Sequence, residues 1–302
     1  MSSLFFKPLN YYLENKFVCN KKFKDTYSGV GRIIVIGDIH GDFNILVKCL
    51  IKGKVINNNH KWIGGSTHVV QLGDLLDKGG RGVDSMANSM EEFSIYEFLN
   101  YLDNEAEKTG GKVHYLIGNH ELMNMHGDFR YVHTSHLEDT GSDIRRQLFR
   151  AGGYMAKLLA CHSYGVLKIN KWYFCHAGLL PEHINTRSIT KINTIVRGIL
   201  RGDRPGKLTA EEDEIINSPN SIFWNRYYTN NSNTCDTLTR TLNILKEKDG
   251  GMVVGHTPHK NITSVCNEKL WFADVGLSDG FGDTFNNIQI LSIINNIPQI
   301  IT

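Results

Sequence analysis

The chain reads as an α/β domain built around a partly parallel sheet, and three features predict it. First, short apolar runs recur, and each stops at a polar residue: Ile33-Ile34-Val35-Ile36 before Gly37-Asp38-Ile39-His40-Gly41, Val69-Val70-Gln71-Leu72 before Gly73-Asp74, Val113-His114-Tyr115-Leu116-Ile117 before Gly118-Asn119-His120-Glu121, Trp172-Tyr173-Phe174 before Cys175-His176, and Met252-Val253-Val254 before Gly255-His256. Runs this short, bounded by turn residues, are strands. Second, helical spacing fills the gaps between the first three runs, over Asp42 to Ile51 and Ser85 to Ala106. Third, the resulting βαβαβ order requires right-handed crossovers and therefore parallel neighbours.

In an open α/β sheet, ligands gather beyond the carboxyl ends of the strands, so residues at those ends meet although they lie far apart in the chain. The converging set here is Asp38, His40, Asp74, Asn119, His176 and His256. One such motif alone reads as a strand and an ordinary Gly-Asp or Gly-Asn turn. Five, all ending in ligand chemistry, point to a metal site. Oxygen and imidazole donors suit Mn²⁺, Fe and Zn²⁺ alike and disfavour a copper thiolate centre. Six protein ligands overfill one catalytic zinc, whereas two ions roughly 3.5–4 Å apart divide them and share one carboxylate. Gly37, Gly73, Gly118 and Gly255 each precede a ligand, where a turn leaving a strand needs positive φ or close backbone approach.

The ordered trio Gly-Asp-Ile-His-Gly at 37–41, Gly-Asp-Leu-Leu-Asp-Lys-Gly at 73–79 and Gly-Asn-His-Glu at 118–121, followed by His176 and Gly255-His256-Thr257, resembles the calcineurin-like metallophosphoesterases, and within them the phosphoprotein phosphatases. The likeness spans about residues 30 to 280. Gly118 to Asn124 running on to Gly127-Asp128-Phe129-Arg130-Tyr131-Val132, with Phe223-Trp224-Asn225-Arg226 and Asp274-Val275-Gly276-Leu277-Ser278, is similar to the Shewanella-like protein phosphatases. The resemblance implies two mixed sheets in a sandwich flanked by helices, with helical insertions over the active site. It implies two divalent ions, Mn²⁺ favoured, with Asp38 and His40 on the first, Asp74 bridging, and Asn119, His176 and His256 on the second. A hydroxide between the ions would attack phosphorus in line without a covalent phosphoenzyme. His120 would protonate the leaving oxygen, and Asp77 would orient its imidazole.

One position departs from the pattern. The family's Asp-Arg-Gly, whose arginine grips phosphate, is Asp77-Lys78-Gly79 here, and lysine lacks the planar fork that takes two phosphate oxygens. Lys78 is then a weaker phosphate ligand, or another cation helps. Arg81 is the nearest candidate, although it reads equally well as an exposed loop charge. Arg226 resembles the family's second phosphate-binding arginine. Arg130 and Tyr131 shape the cleft or pack as a structural pair. Of the 13 histidines, His60, His68, His133, His136 and His162 carry no motif, His114 reads as a packed strand residue and His259 as structural.

Composition bounds the rest. The chain has 302 residues, 41% of them apolar, enough for a sizeable core in one domain. A net charge of +2 leaves no basic footprint for nucleic acid, and no stretch approaches a membrane span. The first residues lack a signal-peptide layout, so a cytoplasmic protein is expected. Six cysteines show no paired spacing, with Cys49 and Cys175 in apolar surroundings, and no disulfide framework is indicated. The expected organisation is an arm over residues 1–29 and a single catalytic domain over 30–302. Insertions at about 123–159 and 187–247 would cover the strand ends and select substrate. Glu211 to Glu214 reads as a solvated helix start, and Tyr227 to Asn233 as a flexible polar loop. The expected activity is metal-dependent hydrolysis of phosphoproteins. Hydrolysis of small phosphoesters such as dinucleoside polyphosphates is the second reading, and a catalytically weak scaffold the third.

Overall fold

Each of the five apolar runs forms a strand in the computed structural model, which describes residues 7–82, 90–203, 206–285 and 288–302. In chain order the strands are β1 (Thr26–Tyr27), β2 (Arg32–Ile36), β3 (His68–Gln71), β4 (Lys112–Leu116), β5 (Ser163–Tyr164), β6 (Val166–Ile169), β7 (Trp172–Cys175), β8 (Gly251–Val254), β9 (Thr263–Val265), β10 (Leu270–Phe272), β11 (Ile290–Ile294) and β12 (Ile297–Ile301). They build two six-stranded mixed sheets, ordered β12-β11-β2-β3-β4-β5 and β1-β6-β7-β8-β10-β9. β2 to β5 run parallel, and the β11-β12 hairpin adds antiparallel strands on one side. In the second sheet β7, β8 and β10 are parallel, β6 is antiparallel to β7 and parallel to β1, and β9 is antiparallel to β10. The two-sheet sandwich expected of the fold class is therefore present. Its central strands β2, β3, β4, β7 and β8 are buried on both faces, which is why they read as continuous apolar runs and not as alternation.

Helices fill the crossovers. Asp42 caps Phe43–Lys52 by accepting the Ile45 N–H at 3.0 Å, so the helix begins one residue later than its sequence pattern suggests. The next helix is Glu91–Glu107; of the stretch expected from Ser85, residues 85–89 lie outside the described residues. Thr209 and Glu212 form a capping box at the start of Ala210–Ile216, which explains the acidic run there. In the first insertion, helix Ser142–Phe149 packs between Asn119–His126 and Tyr154–His162. Upstream of the core, helix Leu9–Glu14 buries Tyr12 against Phe93 and Tyr154, and β1 pairs with β6.

Two expectations are corrected. Four of the six cysteines are paired, Cys19 with Cys161 and Cys235 with Cys266, and only Cys49 and Cys175 are free and buried. The partners stand 142 and 31 residues apart, so no spacing rule could have joined them. Residues Tyr227–Asn230 form a helical turn instead of a loose loop. Tyr228 is 4% exposed and donates its hydroxyl to the Leu179 carbonyl at 2.5 Å.

Candidate active site

β2, β3 and β4 of one sheet and β7 and β8 of the other end around a single cavity of about 520 Å³. The backbone there is bent sharply. His40, Asp74, Asp77 and His256 take positive φ values of 44°, 52°, 74° and 67°, a conformation that costs a side-chain-bearing residue about 1–3 kcal/mol and concentrates at functional sites. Gly118 explains its own identity: a Cβ there would lie 2.1 Å from Asp74 Oδ1.

Two imidazoles are set in the tautomers that a metal needs. His176 donates Nδ1–H to Leu72 O at 2.9 Å and turns Nε2 inward. His256 donates Nε2–H to Trp224 O at 3.1 Å and turns Nδ1 inward. His40 Nδ1 meets both the Leu76 carbonyl at 3.2 Å and the donor Arg81 Nη2 at 2.9 Å, so these contacts do not fix its tautomer as they do for His176 and His256. The inward lone pairs of His176 and His256 then face Asn119 Oδ1 at 3.0 and 2.8 Å, acceptor against acceptor. A cation resolves that conflict. Two groups, His40-Asp74-His120 and Asp74-His176-His256, bring one ligand atom per residue within 4.8 Å of each other and share Asp74. Asp38 stands outside both groups, but its buried Oδ1 has no hydrogen-bond partner among the described residues, while Oδ2 accepts the His256 N–H at 2.9 Å. The donor set therefore fits two divalent ions, with Asp74 central.

Charges follow the same plan. Burial alone would raise the Asp74 carboxyl, but His176, His120 and His40 hold it well below its ordinary value. Burial raises Asp38 well above the usual carboxylate range, and the carboxylates of Asp274 and Asp74 push it further. Bound cations would favour the ionised form of both carboxylates. Glu121 holds the turn together. It accepts the N–H groups of Asp74, Leu75 and Gly118 at 3.0, 2.8 and 2.7 Å.

His120 and Asp77 meet as the resemblance implies, with His120 Nδ1 donating to Asp77 Oδ2 at 2.8 Å. Burial lowers the His120 imidazole, but Asp74 and Asp77 outweigh it and hold its pKa above the ordinary value. The phosphate-binding candidates divide. Lys78 is corrected: it is 3% exposed, pairs with Asp42 Oδ2 at 3.1 Å and does not line the cavity. Its ammonium turns away because the buried Asp42 carboxylate would otherwise have no cation. Arg81 and Arg226 both line the cavity. Arg81 lies 2.9 Å from His40 Nδ1 and donates to the Asp77 and Gly79 carbonyls at 2.7 and 2.9 Å, under the ring of Phe281. Arg226 donates to Thr257 Oγ1 at 2.8 Å. Tyr131 lines the wall beside His120, whereas Arg130 points to solvent and pairs with Asp128.

Several contributors carried no assigned role in the sequence. Glu121 and Asp274 sit inside quoted motifs, so proximity to a ligand was a usable signal for Glu121. Phe281, Asn124, Glu92 and Arg145 reach the site only through tertiary packing.

A two-sheet sandwich with two ligand groups that share one carboxylate, beside an Asp-His pair, is the arrangement of a metallophosphoesterase. The sequence pattern of the family described as calcineurin-like phosphoesterases matches residues 31–289. Shewanella-like protein phosphatase 2 of Arabidopsis thaliana is 32% identical over 83% of this chain and 73% of its own length. Shewanella-like protein phosphatase 1 of Plasmodium berghei is 31% identical over 85% and 70%. The crystal structure of a cold-active protein-tyrosine phosphatase from a psychrophilic Shewanella superposes with a TM-score of 0.78, at 24% identity, over 93% of this chain and 83% of that one, and shows the same fold. The chain thus belongs to the calcineurin-like phosphoesterases and, within them, to the Shewanella-like protein phosphatases, and it is a metal-dependent phosphoric monoester hydrolase.

Proposed function

We propose that the protein dephosphorylates phosphotyrosine in proteins, in one catalytic domain over residues 30–302 with residues 1–29 as a packed arm, and works with Mn²⁺. The observation that carries the substrate reading is the cavity rim. Tyr131, Phe281 and Trp224, all half-buried, line the same cavity as the buried His40, Asp74, Asn119, His120 and His256, so aromatic side chains lie at its more exposed part. An aryl ring fits such walls by stacking, while a serine side chain is too short to reach them. The name of the Shewanella enzyme, a protein-tyrosine phosphatase, supports the same choice.

Asp38, His40 and Asp74 would hold one ion and Asp74, Asn119, His176 and His256 the other, and the bound pair supplies charge neutralisation for the phosphoryl group and an activated water at neutral pH. The residues do the remainder. Arg81 and Arg226 grip phosphate oxygens from opposite sides of the cavity, replacing the arginine that Lys78 does not supply. Asp77 holds Nδ1 of His120, so that Nε2 presents the proton to the departing tyrosyl oxygen.

The test is hydrolysis of matched phosphotyrosine and phosphothreonine peptides by protein stripped with chelator and reloaded with Mn²⁺, Zn²⁺ or Fe²⁺. Faster turnover of the tyrosine peptide with Mn²⁺ is expected. Preference for phosphothreonine, or for a dinucleoside polyphosphate, would overturn the reading. Compartment is tested separately, because two disulfides favour an oxidising environment over the cytoplasm that the sequence suggests. Alkylation of thiols at the moment of cell lysis decides it: two reactive cysteines support the former, six the latter.

A further inference from the structure

Arg145 lies on helix Ser142–Phe149 with its side chain fully buried. Its guanidinium donates from Nε to Asn124 Oδ1 at 2.7 Å and from Nη2 to Asp77 Oδ1 at 3.3 Å, and Nη2 forms an ion pair with Glu92 Oε2 at 2.8 Å. Asn124 donates Nδ2 to both Asp77 oxygens at 2.9 and 3.0 Å and to the His120 carbonyl at 2.9 Å. Glu92 Oε1 accepts the Asp77 backbone N–H at 2.6 Å. The Asp77 carbonyl is taken by Arg81. The backbone N–H and both carboxylate oxygens of Asp77 are thus held by Glu92, Asn124 and Arg145, none of which lines the cavity, and Oδ2 also takes His120 Nδ1. An aspartate's terminal torsion is otherwise broad, and a freely turning carboxylate would let the imidazole turn with it. Burial raises the Glu92 carboxyl, yet Arg145 and His136 hold it well below its ordinary value, so it stays an anion able to anchor the guanidinium.

We propose that Arg145, anchored by Glu92 and acting through Asp77 and Asn124, is a positioning residue that aims His120 at the leaving oxygen. The insertion around Ser142–Phe149 then has a task beyond covering the cleft: it completes the acid half of the site. This rests on His120 being the general acid, and the experiment separates the two ideas.

Mn²⁺-loaded Arg145→Lys, Asn124→Ser, His120→Asn and the double variant His120→Asn/Arg145→Lys are assayed on p-nitrophenyl phosphate, whose leaving group needs little protonation, and on phenyl phosphate, whose leaving group needs more. His120→Asn should lose about a hundredfold in kcat on phenyl phosphate and far less on the nitrophenyl ester. Arg145→Lys should lose roughly tenfold on phenyl phosphate alone, with KM and bound Mn²⁺ unchanged. The double variant should be no slower than His120→Asn. Asn124→Ser keeps the Arg145–Glu92 pair but removes the amide that links Arg145 Nε to Asp77 and to the His120 carbonyl; it should show the same split, and it serves where Arg145→Lys does not fold. Equal losses on both esters, no loss, or loss of Mn²⁺ in the Arg145 and Asn124 variants would overturn the positioning role. If His120→Asn itself shows no split between the esters, the general-acid reading falls and the proposal falls with it.

Discussion

Replacing Lys78 with Met should unfold the protein more readily and leave substrate affinity alone. The Lys78 ammonium is buried 3.1 Å from Asp42 Oδ2, and Asp42 is 1% exposed. Removing one partner of a buried pair strands the other charge, at about 3–5 kcal/mol. Asp42 keeps the Ile45 and Asp279 N–H groups at 3.0 and 3.2 Å, which places the expected loss near the lower end, about 3 kcal/mol. That is a large share of a typical stability of about 5–15 kcal/mol. Urea denaturation measures it, beside KM for a phosphotyrosine peptide. Arg81→Met should behave in the opposite sense. A hydrogen bond to a charged group contributes about 1.5–3 kcal/mol, so kcat/KM should fall roughly 10- to 100-fold, with a smaller change in stability. Lys78→Arg should not lower KM, because the side chain at this position does not face the cavity. A tenfold rise in KM for Lys78→Met with an unchanged urea midpoint would refute the reasoning, since it would place the ammonium on phosphate.

Three further outcomes are expected. Asp74→Asn should abolish phosphatase activity and metal loading together, read by elemental analysis after dialysis against Mn²⁺; full loading would show that Asp74 is not the bridge. Reduction should destabilise the protein chiefly through Cys19–Cys161: loop-closure entropy gives at most about 5 kcal/mol for its separation of 142 and about 4 kcal/mol for the separation of 31 at Cys235–Cys266. Urea midpoints of Cys19→Ser and Cys235→Ser with and without reductant test that order, and an insensitive wild type would mean unpaired thiols. Burial, with Lys112 nearby, pulls His68 down to about 4, below its ordinary 6.5. Above pH 6.5 the ring is neutral in both states; as pH falls the unfolded chain takes the proton first, so stability is lost between pH 6.5 and 4, by at most about 3 kcal/mol. In His68→Gln that part of the acid loss should vanish from stability curves at pH 7.5 and 4.5, and an identical loss would place the titrating group elsewhere.

The ligand half of the site was legible because strand-end motifs are local: a strand, a turn and a ligand occupy a few consecutive residues, and topology alone brings such ends together. The second sheet was harder to read, since β1, β9 and β10 are two or three residues long and give no period to count. The disulfides were invisible for want of any rule linking positions 142 residues apart. Arg145 was invisible for a different reason. It sits in a polar stretch, Ser142-Asp143-Ile144-Arg145-Arg146, where nothing separates a buried arginine from its exposed neighbour until the helix is packed.

Lys78 and Arg81 show how far local reading reaches. The sequence offered two cations in this loop and could not say which of them lines the cavity, because the choice is made by a surface about fifty residues away. Gly80 has φ +72°, and a Cβ on it would lie 2.4 Å from the Arg130 carbonyl; the Gly79 N–H donates to Tyr131 O at 2.9 Å. Pressed against 130–131, the chain can reverse only through a residue without a side chain. That reversal carries Arg81 back over the Asp77 carbonyl and into the cavity, and Lys78, ahead of the turn, is left facing Asp42. The Gly79-Gly80 turn thus brings a guanidinium into the cavity three residues after the position of Lys78. Gly80→Ala should mimic Arg81→Met in kcat/KM while Arg81 itself is intact, and normal kinetics in that variant would mean that the turn does not position the arginine.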